Sequence, residues 1–173
     1  MKGVIAKCLG ELVENKFGKD KWEASLKEAG LPSETTFLST QNLDDQAVIK
    51  VVQAVCNQLN ITLPQAADAF GEYFVCEFAP KIYAAYYRGK NNARELIMAM
   101  DDIHEKATMT IPDAHPPRFT YEWKDNKTLI MHYKSHRGLI DFMVGLIKGV
   151  GKYYKENLQV KKLGDDKAEI VFV

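Results

Sequence analysis

His104 is the residue of this sequence best suited to binding a metal ion. It lies on the apolar side of a predicted helix, one turn after Met100 and two turns after Ile97. An imidazole in that position uses one ring nitrogen for a hydrogen bond and can offer the other to a metal. A lone histidine suits haem iron, whose porphyrin supplies the in-plane ligands, better than a structural zinc. The residues alone leave two interpretations open, a hydrogen-bonded core histidine and an axial metal ligand.

Tyr133, Ser135 and Arg137 form a second group with chemical potential. At strand spacing their side chains lie on one side of the chain, opposite those of Lys134 and His136. All three carry hydrogen-bond donors, and arginine binds carboxylates through two parallel hydrogen bonds. The set therefore suits a carboxylate or phosphate, although such residues are also common at the ends of strands.

Catalytic motifs are weak in this sequence. Gly145, Gly149 and Gly151 lie within a helical pattern and precede no Lys-Ser/Thr pair, so they do not form a phosphate-binding loop. Ser135 and His136 are neighbours on a predicted strand and would point in opposite directions, which argues against a nucleophile and base pair. No Gly-x-Ser-x-Gly sequence is present.

The composition is that of an ordinary globular protein. The chain has 173 residues, with 23 Lys and Arg against 23 Asp and Glu, and 46% of its residues are hydrophobic. A net charge of zero argues against a dedicated nucleic-acid binder, and the apolar stretches are far shorter than the roughly 20 residues of a membrane span. No secretory signal follows Met1, and Cys8, Cys56 and Cys76 are too scattered for a disulfide framework. We therefore expect buried thiols and a cytoplasmic protein.

Helical periodicity dominates the first two thirds of the chain. Apolar residues recur at three- and four-residue steps, which predicts a series of helices beginning with one over residues 3–17. One later helix carries Phe70, Phe74 and Phe78 at four-residue steps, a pattern more typical of a core than of a cofactor pocket. The last helix before the prolines carries His104.

The period changes to two after Pro117. Alternating aromatic residues predict a hairpin that begins at Phe119 and turns at Asp125-Asn126. A helix over residues 139–154 and a second hairpin over residues 158–172 follow. Two hairpins joined by a helix, next to a helical region, predict an α+β fold.

Together these residues resemble the haem nitric-oxide/oxygen-binding domain family. This family is the gas-sensing module of soluble guanylate cyclase and of stand-alone bacterial regulators. The resemblance covers nearly the whole chain, and its most specific part is a Tyr-x-Ser-x-Arg sequence after a helical histidine and a Pro-Pro-Arg. The residues that carry it are Met1-Lys2-Gly3, Phe70-Gly71, Asp102-Ile103-His104, Pro116-Pro117-Arg118, Tyr133-x-Ser135-x-Arg137 and Gly145-Leu146.

The resemblance implies a haem b cofactor and assigns residues to it. His104 would be the proximal ligand of ferrous iron, without covalent thioether links, since Cys-x-x-Cys-His is absent. Tyr133, Ser135 and Arg137 would hold the haem propionates, and Pro117 would press on the porphyrin. The pocket positions would be Ile5, Phe74, Phe78, Phe142 and Leu146.

The resemblance also implies how the chain is organised. A helical part over residues 1–62 would pack on a haem-ligating part over residues 63–173, which contains the antiparallel sheet and one long helix, with the haem buried between the two parts.

The sequence departs from the oxygen-binding members of that family. Those members place a tyrosine five residues after the motif arginine, where this chain has Phe142, and support it with polar residues, where this chain has Leu9 and Phe74. Bound dioxygen carries partial negative charge and gains from a hydrogen-bond donor, whereas nitric oxide and carbon monoxide need one much less. We therefore expect nitric oxide and carbon monoxide to bind and dioxygen to be excluded.

The resemblance implies a bacterial sensor rather than an enzyme. Nitric oxide would weaken the bond between iron and His104, relieve strain imposed by Pro117 and shift the helix of His104. A histidine kinase or a diguanylate cyclase/phosphodiesterase would be the separate partner, because this sequence contains no such segment. Two alternatives are a small haem enzyme that turns over peroxide or nitric oxide, and a haem-free interaction module with His104 in its core.

Overall fold

Two compact units make up the chain. The computed structural model describes residues 1–109, 111 and 114–173, and its units are Met1–Ala66 and Ala67–Val173. Among these described residues, no helix is both long and apolar enough to cross a membrane.

The first unit contains three helices, α1 (Gly3–Phe17), α2 (Lys19–Glu28) and α3 (Asp45–Leu59). The middle of the predicted apolar stripe of α1 is buried, including Cys8 and Leu9, whereas Phe17 at its end is exposed. Helix α3 begins where the Asp44 carboxylate accepts the backbone N–H of Ala47 at 2.9 Å. It ends at Asn60, which adopts the left-handed conformation common after the last helical turn.

The helices of the remaining chain are shorter and more irregular than their periodicity predicts. They are α4 (Leu63–Tyr73), a π-helical segment (Phe74–Phe78), α5 (Ala79–Ile82), α6 (Ala84–Tyr87), α7 (Ala93–Met98), α8 (Met100–Thr108) and α9 (Ile140–Tyr154). The π-helical segment interrupts the expected phenylalanine helix, and Pro80 lies in the first turn of α5. Asn92 caps α7 by accepting the backbone N–H of Glu95 at 2.9 Å.

The predicted single helix through His104 is divided at Ala99. The backbone of Ala99 has φ −87° and ψ −5°, and its N–H donates to the Leu96 carbonyl at 3.2 Å. The carbonyl of Ile97 accepts the hydroxyl hydrogen of Tyr121 at 2.9 Å. A strand side chain thus bonds to the last turn of α7, and His104 lies on the separate nine-residue helix α8.

Four antiparallel strands form one sheet in the order β1-β2-β4-β3. The strands are β1 (Arg118–Trp123), β2 (Thr128–Lys134), β3 (Leu158–Lys162) and β4 (Lys167–Phe172). The predicted inward face of β2 is buried, but Ile130 on its other face is buried as well. The register pairs Phe119 of β1 with Tyr133 of β2. The α+β prediction is confirmed.

Helices α4 and α9 approach each other closely enough for their backbones to touch. A Cβ atom added at Gly145 would collide with the carbonyl of Ala67, and one added at Gly71 would collide with the carbonyl of Gly145. Lys148 pairs with Asp68 at 2.7 Å beside this contact. Only glycine permits so short a distance between the helices.

Candidate functional site

His104 is half-buried on α8, and its ring orientation is fixed by its own helix. Nδ1 lies 2.8 Å from the backbone carbonyl of Met100, one turn earlier. A carbonyl only accepts hydrogen bonds, so Nδ1 must carry the proton, and in the neutral imidazole the lone pair is then on Nε2. A histidine held in this way is typical of metal-ligating histidines, whose second nitrogen is oriented by a carbonyl or carboxylate.

Phe119 joins His104 to the predicted propionate-binding residues. Its ring meets the imidazole edge-on, with centroids 5.1 Å apart, and lies 6.1 Å from the ring of Tyr133. Tyr133 is buried and belongs to the same hydrophobic cluster as Phe119, with Ile103 of α8 packed against it. The structure thus brings His104 and Tyr133 into contact with the same aromatic ring.

The Tyr133, Ser135 and Arg137 group does not lie on one strand as the sequence predicts. Strand β2 ends at Lys134, and the chain then enters a turn. The backbone N–H of Arg137 donates to the Ser135 hydroxyl at 3.3 Å, which is typical of such turns. The Arg137 guanidinium donates to the carbonyl of His115 at 2.6 Å. Its side chain is therefore attached to the segment that leads into Pro116-Pro117, and the three residues share a strand end rather than a strand face.

Four phenylalanine rings form a second group. Phe70 stacks on Phe74 with centroids 5.5 Å apart, and Phe74 stacks on Phe78 at 5.8 Å. The ring of Phe142 on α9 meets Phe70 edge-on at 5.2 Å. Three of the predicted pocket residues thus share one aromatic ladder, two of them on the π-helical segment. Such segments are frequent at functional sites because they alter the helical register.

The remaining predicted site residues lie in different parts of the chain. Leu146 of α9 is half-buried and packs against the cluster that contains Phe119 and Tyr133. Pro117 is half-buried immediately before β1. Ile5 and Leu9 lie on α1 in the first unit.

Arg118 dominates the electrostatics near His104. Its guanidinium forms two hydrogen bonds with the carboxylate of Asp101, at 2.9 and 2.7 Å. These bonds hold the pKa of Asp101 below its usual range, and the same pairing raises the pKa of Arg118. A groove of about 550 Å³ opens beside this pair and is bordered by Lys134 and Ser135.

The described residues contain no cluster of three or more His, Cys, Asp or Glu side chains that could hold a metal ion. A porphyrin would supply four in-plane ligands to an iron that takes a single histidine from the protein.

Sequence reasoning missed three features of the site. The hydrogen bond from His104 to the Met100 carbonyl could have been expected only from the position of Met100, four residues before His104. Phe119 was recognised as a buried strand residue, but its contact with the imidazole depends on tertiary packing. Arg118 was noted as part of a motif, and nothing in the sequence connects it to Asp101.

The Haem-NO-binding family matches this chain over residues 2–162. The chain belongs to the Haem-NO-binding family. Soluble guanylate cyclase gcy-35 of Caenorhabditis elegans is 22% identical over 98% of the chain. The chain spans about a quarter of that relative's length, 25%.

Solved structures of this family share the fold. A Cs H-NOX mutant with 4-cyano-L-phenylalanine at site 5 superimposes with a TM-score of 0.89 at 23% identity, covering 99% of this chain and 96% of that chain. An oxygen-binding H-NOX domain related to soluble guanylate cyclases, in its oxygen complex, gives a TM-score of 0.84 at 24% identity, covering 99% of this chain and 95% of that chain. A fold that an oxygen-binding protein shares does not by itself distinguish one gas from another.

Family membership makes this chain a haem-binding gas-sensor domain related to soluble guanylate cyclase, not an enzyme. The residues present fit the cofactor. An oriented imidazole can face the iron, aromatic rings can pack on an apolar porphyrin, and a phenol, a hydroxyl and a guanidinium can meet two carboxylates.

Proposed function

We propose that this chain senses nitric oxide through a haem b cofactor whose iron is ligated by His104. The observation that carries the proposal is the hydrogen bond from Nδ1 of His104 to the Met100 carbonyl, 2.8 Å long, which directs the Nε2 lone pair to a ligand. Tyr133, Ser135 and Arg137 bind the propionates, and Pro117 lies against the porphyrin.

Ferrous haem, when bound, would supply an iron atom able to take a ligand from the protein and to bind a gas molecule. His104 Nε2 is the protein ligand. It is carried on α8, none of whose nine residues is fully buried, and α8 is separated from α7 by the break at Ala99. Its Met100 and Ile103 are only partly buried against the hydrophobic core, so movement of α8 would expose less apolar surface than movement of a fully buried helix.

The apolar pocket supports selectivity for nitric oxide and carbon monoxide over dioxygen. Phe142 is buried beside Phe70, and Phe74 stacks on Phe70. Phenyl rings donate no hydrogen bond, so they do not stabilise the partial negative charge of bound dioxygen. Nitric oxide and carbon monoxide depend much less on such a donor.

The output of the switch is a surface change read by an effector. For α8 to act as a switch, nitric oxide must bind one of its positions more tightly than the other. A histidine kinase or a diguanylate cyclase/phosphodiesterase is the kind of effector that the sequence resemblance favours.

Replacing His104 with alanine tests the ligand assignment. His104→Ala is expected to abolish or greatly weaken haem retention, because the protein then offers no nitrogen to the iron, and added imidazole is expected to restore binding. Haem content is measured from the Soret absorbance of the purified protein. His132→Ala is the matched control, since His132 is half-exposed on β2 and lies 3.6 Å from Glu122.

Normal haem retention by His104→Ala without imidazole would remove His104 as the ligand. Equal loss in His104→Ala and His132→Ala would show that histidine removal acts through folding instead.

A further inference from the structure

Arg118 connects the start of β1 to the helix that carries His104. Its Nε and Nη2 atoms donate to the two oxygens of Asp101 at 2.9 and 2.7 Å, and Nη1 lies 3.4 Å from a carboxylate oxygen of Glu105. Asp101 and Glu105 are one helical turn apart on α8. The guanidinium therefore spans the turn of the helix that contains His104.

A backbone hydrogen bond reinforces this connection. The N–H of Phe119 donates to Asp101 Oδ1 at 2.8 Å. Because β1 is an edge strand, N–H groups on its outer side have no strand partner, and the carboxylate satisfies one of them. Asp101 thus binds both the side chain of Arg118 and the main chain of the next residue, whose ring contacts the imidazole of His104.

The contact between Arg118 and Asp101 owes its strength to its hydrogen-bond geometry and not to burial. About half of the Arg118 side chain is exposed, 48%, against 26% for Asp101. Exposed ion pairs contribute little in general, but a two-point arginine–carboxylate contact with a third donor is the favourable case. Helix α8 has no fully buried residue, and its Met100 and Ile103 are only partly buried against the core, so such surface contacts add to what holds the helix in position.

We propose that Arg118 is a positioning residue that, through Asp101 and Glu105, holds the His104 helix against β1 and sets how readily His104 leaves the iron. This inference rests on the proposed function. It implies that gas sensitivity is tuned by a contact outside the haem pocket, at the residue directly after Pro117.

The test compares Arg118→Ala, Arg118→Lys and Asp101→Asn in the full chain. Asp102→Asn is the matched control, because it breaks a 2.7 Å ion pair with Lys106 that lies entirely within the same helix. Stopped-flow absorption measures how fast the iron–His104 bond is lost after nitric oxide is added to the reduced protein. Amide hydrogen exchange of residues 100–108, in haem-loaded and haem-free protein, measures how firmly the helix is held.

Arg118→Ala is expected to speed loss of the bond by about fivefold and to increase exchange in α8. Arg118→Lys is expected to give an intermediate rate, because an ammonium group cannot reproduce the two-point contact. Asp102→Asn is expected to match the wild type in both measurements. A rate in Arg118→Ala equal to that of the wild type, or equal to that of Asp102→Asn, would overturn the proposal.

The two proposals fail in distinguishable ways. A wild-type protein that retains no haem would remove the proposed function, while unchanged exchange of α8 in haem-free Arg118→Ala would remove the positioning role. A wild-type protein that binds haem and responds to nitric oxide, with Arg118→Ala unaltered in rate, leaves the proposed function intact and removes only the role of Arg118.

Discussion

At the scale of single residues, two side chains of the candidate site are oriented by hydrogen bonds to main-chain carbonyls. The imidazole of His104 is oriented by a main-chain carbonyl, which no side-chain substitution removes. The Arg137 guanidinium is tied to the His115 carbonyl. Both groups are thus partly preorganised, which lowers the entropy lost when a cofactor binds.

Phe142→Tyr is expected to raise the affinity of the reduced protein for dioxygen. The new hydroxyl supplies a donor where the pocket has only phenyl rings, and one hydrogen bond corresponds to about a fivefold change in affinity. The gain is limited because the neighbouring Phe70 and Phe74 provide no polar support. Oxygen titration followed by absorption spectroscopy measures the change.

The control for this substitution is Phe172→Tyr, which makes the same chemical change in a buried residue of β4. It should leave oxygen affinity unaltered. A stable oxygen complex in the unmodified protein in air would contradict the selectivity argument.

Cys8 is expected to be the slowest of the three cysteines to react with thiol reagents. Its complete burial raises the pKa of the thiol well above the usual value, and the nearby Glu11 carboxylate raises it further. Little reactive thiolate is therefore present at neutral pH. Cys56 and Cys76 are only half-buried and should react sooner. Mass spectrometry of labelled peptides measures the order in which the three thiols react. Faster labelling of Cys8 than of the other two would refute the prediction.

At the scale of elements, the contact between α4 and α9 places the phenylalanine ladder. Phe70 on α4 meets Phe142 on α9, and the two helices touch where Gly71 and Gly145 face each other. Lys152 pairs with Glu72 along the same contact. The rings can meet only because the backbones approach so closely.

Gly145→Ala is expected to lower the free energy of unfolding by about 1–3 kcal/mol, as for other overpacked sites. The added methyl group would overlap the backbone of Ala67, which cannot rotate away. Urea denaturation measures the loss. Gly151→Ala on the same helix should lower the free energy of unfolding less, because its methyl group would meet the movable side chain of Leu158 at 2.9 Å and the backbone oxygen of Glu156 at 3.0 Å, whereas at Gly145 the backbone oxygen of Ala67 would be only 2.0 Å away. No loss in Gly145→Ala would contradict the close packing.

The elements also indicate what sequence patterns can predict. The period-two alternation predicted both hairpins. The break at Ala99 was not predictable, because apolar spacing continues through it and the bond between Tyr121 and Ile97 joins residues 24 positions apart. The π-helical segment was missed for a similar reason, since its Phe74 and Phe78 keep four-residue spacing.

At the scale of the whole molecule, short sequence motifs predicted the family, and the periodicity of apolar residues predicted the fold class. Neither pattern predicted the contacts around the site. The types and spacing of His104, Tyr133 and Arg137 left more than one interpretation open, and their assignment to haem came from the family resemblance and stays a prediction. The contact from Met100 lies within the helix of His104 itself, whereas the contacts from Phe119 and from the chain before Pro117 depend on tertiary packing. Burial was predicted for all three cysteines, yet only Cys8 is fully buried.

The balanced charge of the whole chain bears on how a partner would recognise it. With 23 basic and 23 acidic residues, no general field favours an anionic partner, so local pairs such as Arg118 with Asp101 determine the electrostatics. An effector would therefore recognise a local surface that changes with the position of α8, rather than the net charge.

The absorption spectrum of the reduced, haem-loaded protein before and after addition of nitric oxide tests the central claim most directly. The account predicts a Soret shift to the spectrum of a five-coordinate nitrosyl, because binding of nitric oxide releases His104. A reduced protein without a Soret band, or one whose band does not respond to nitric oxide, would contradict a haem-based nitric-oxide sensor. A product that stays six-coordinate would contradict the release of His104 on which the switch depends.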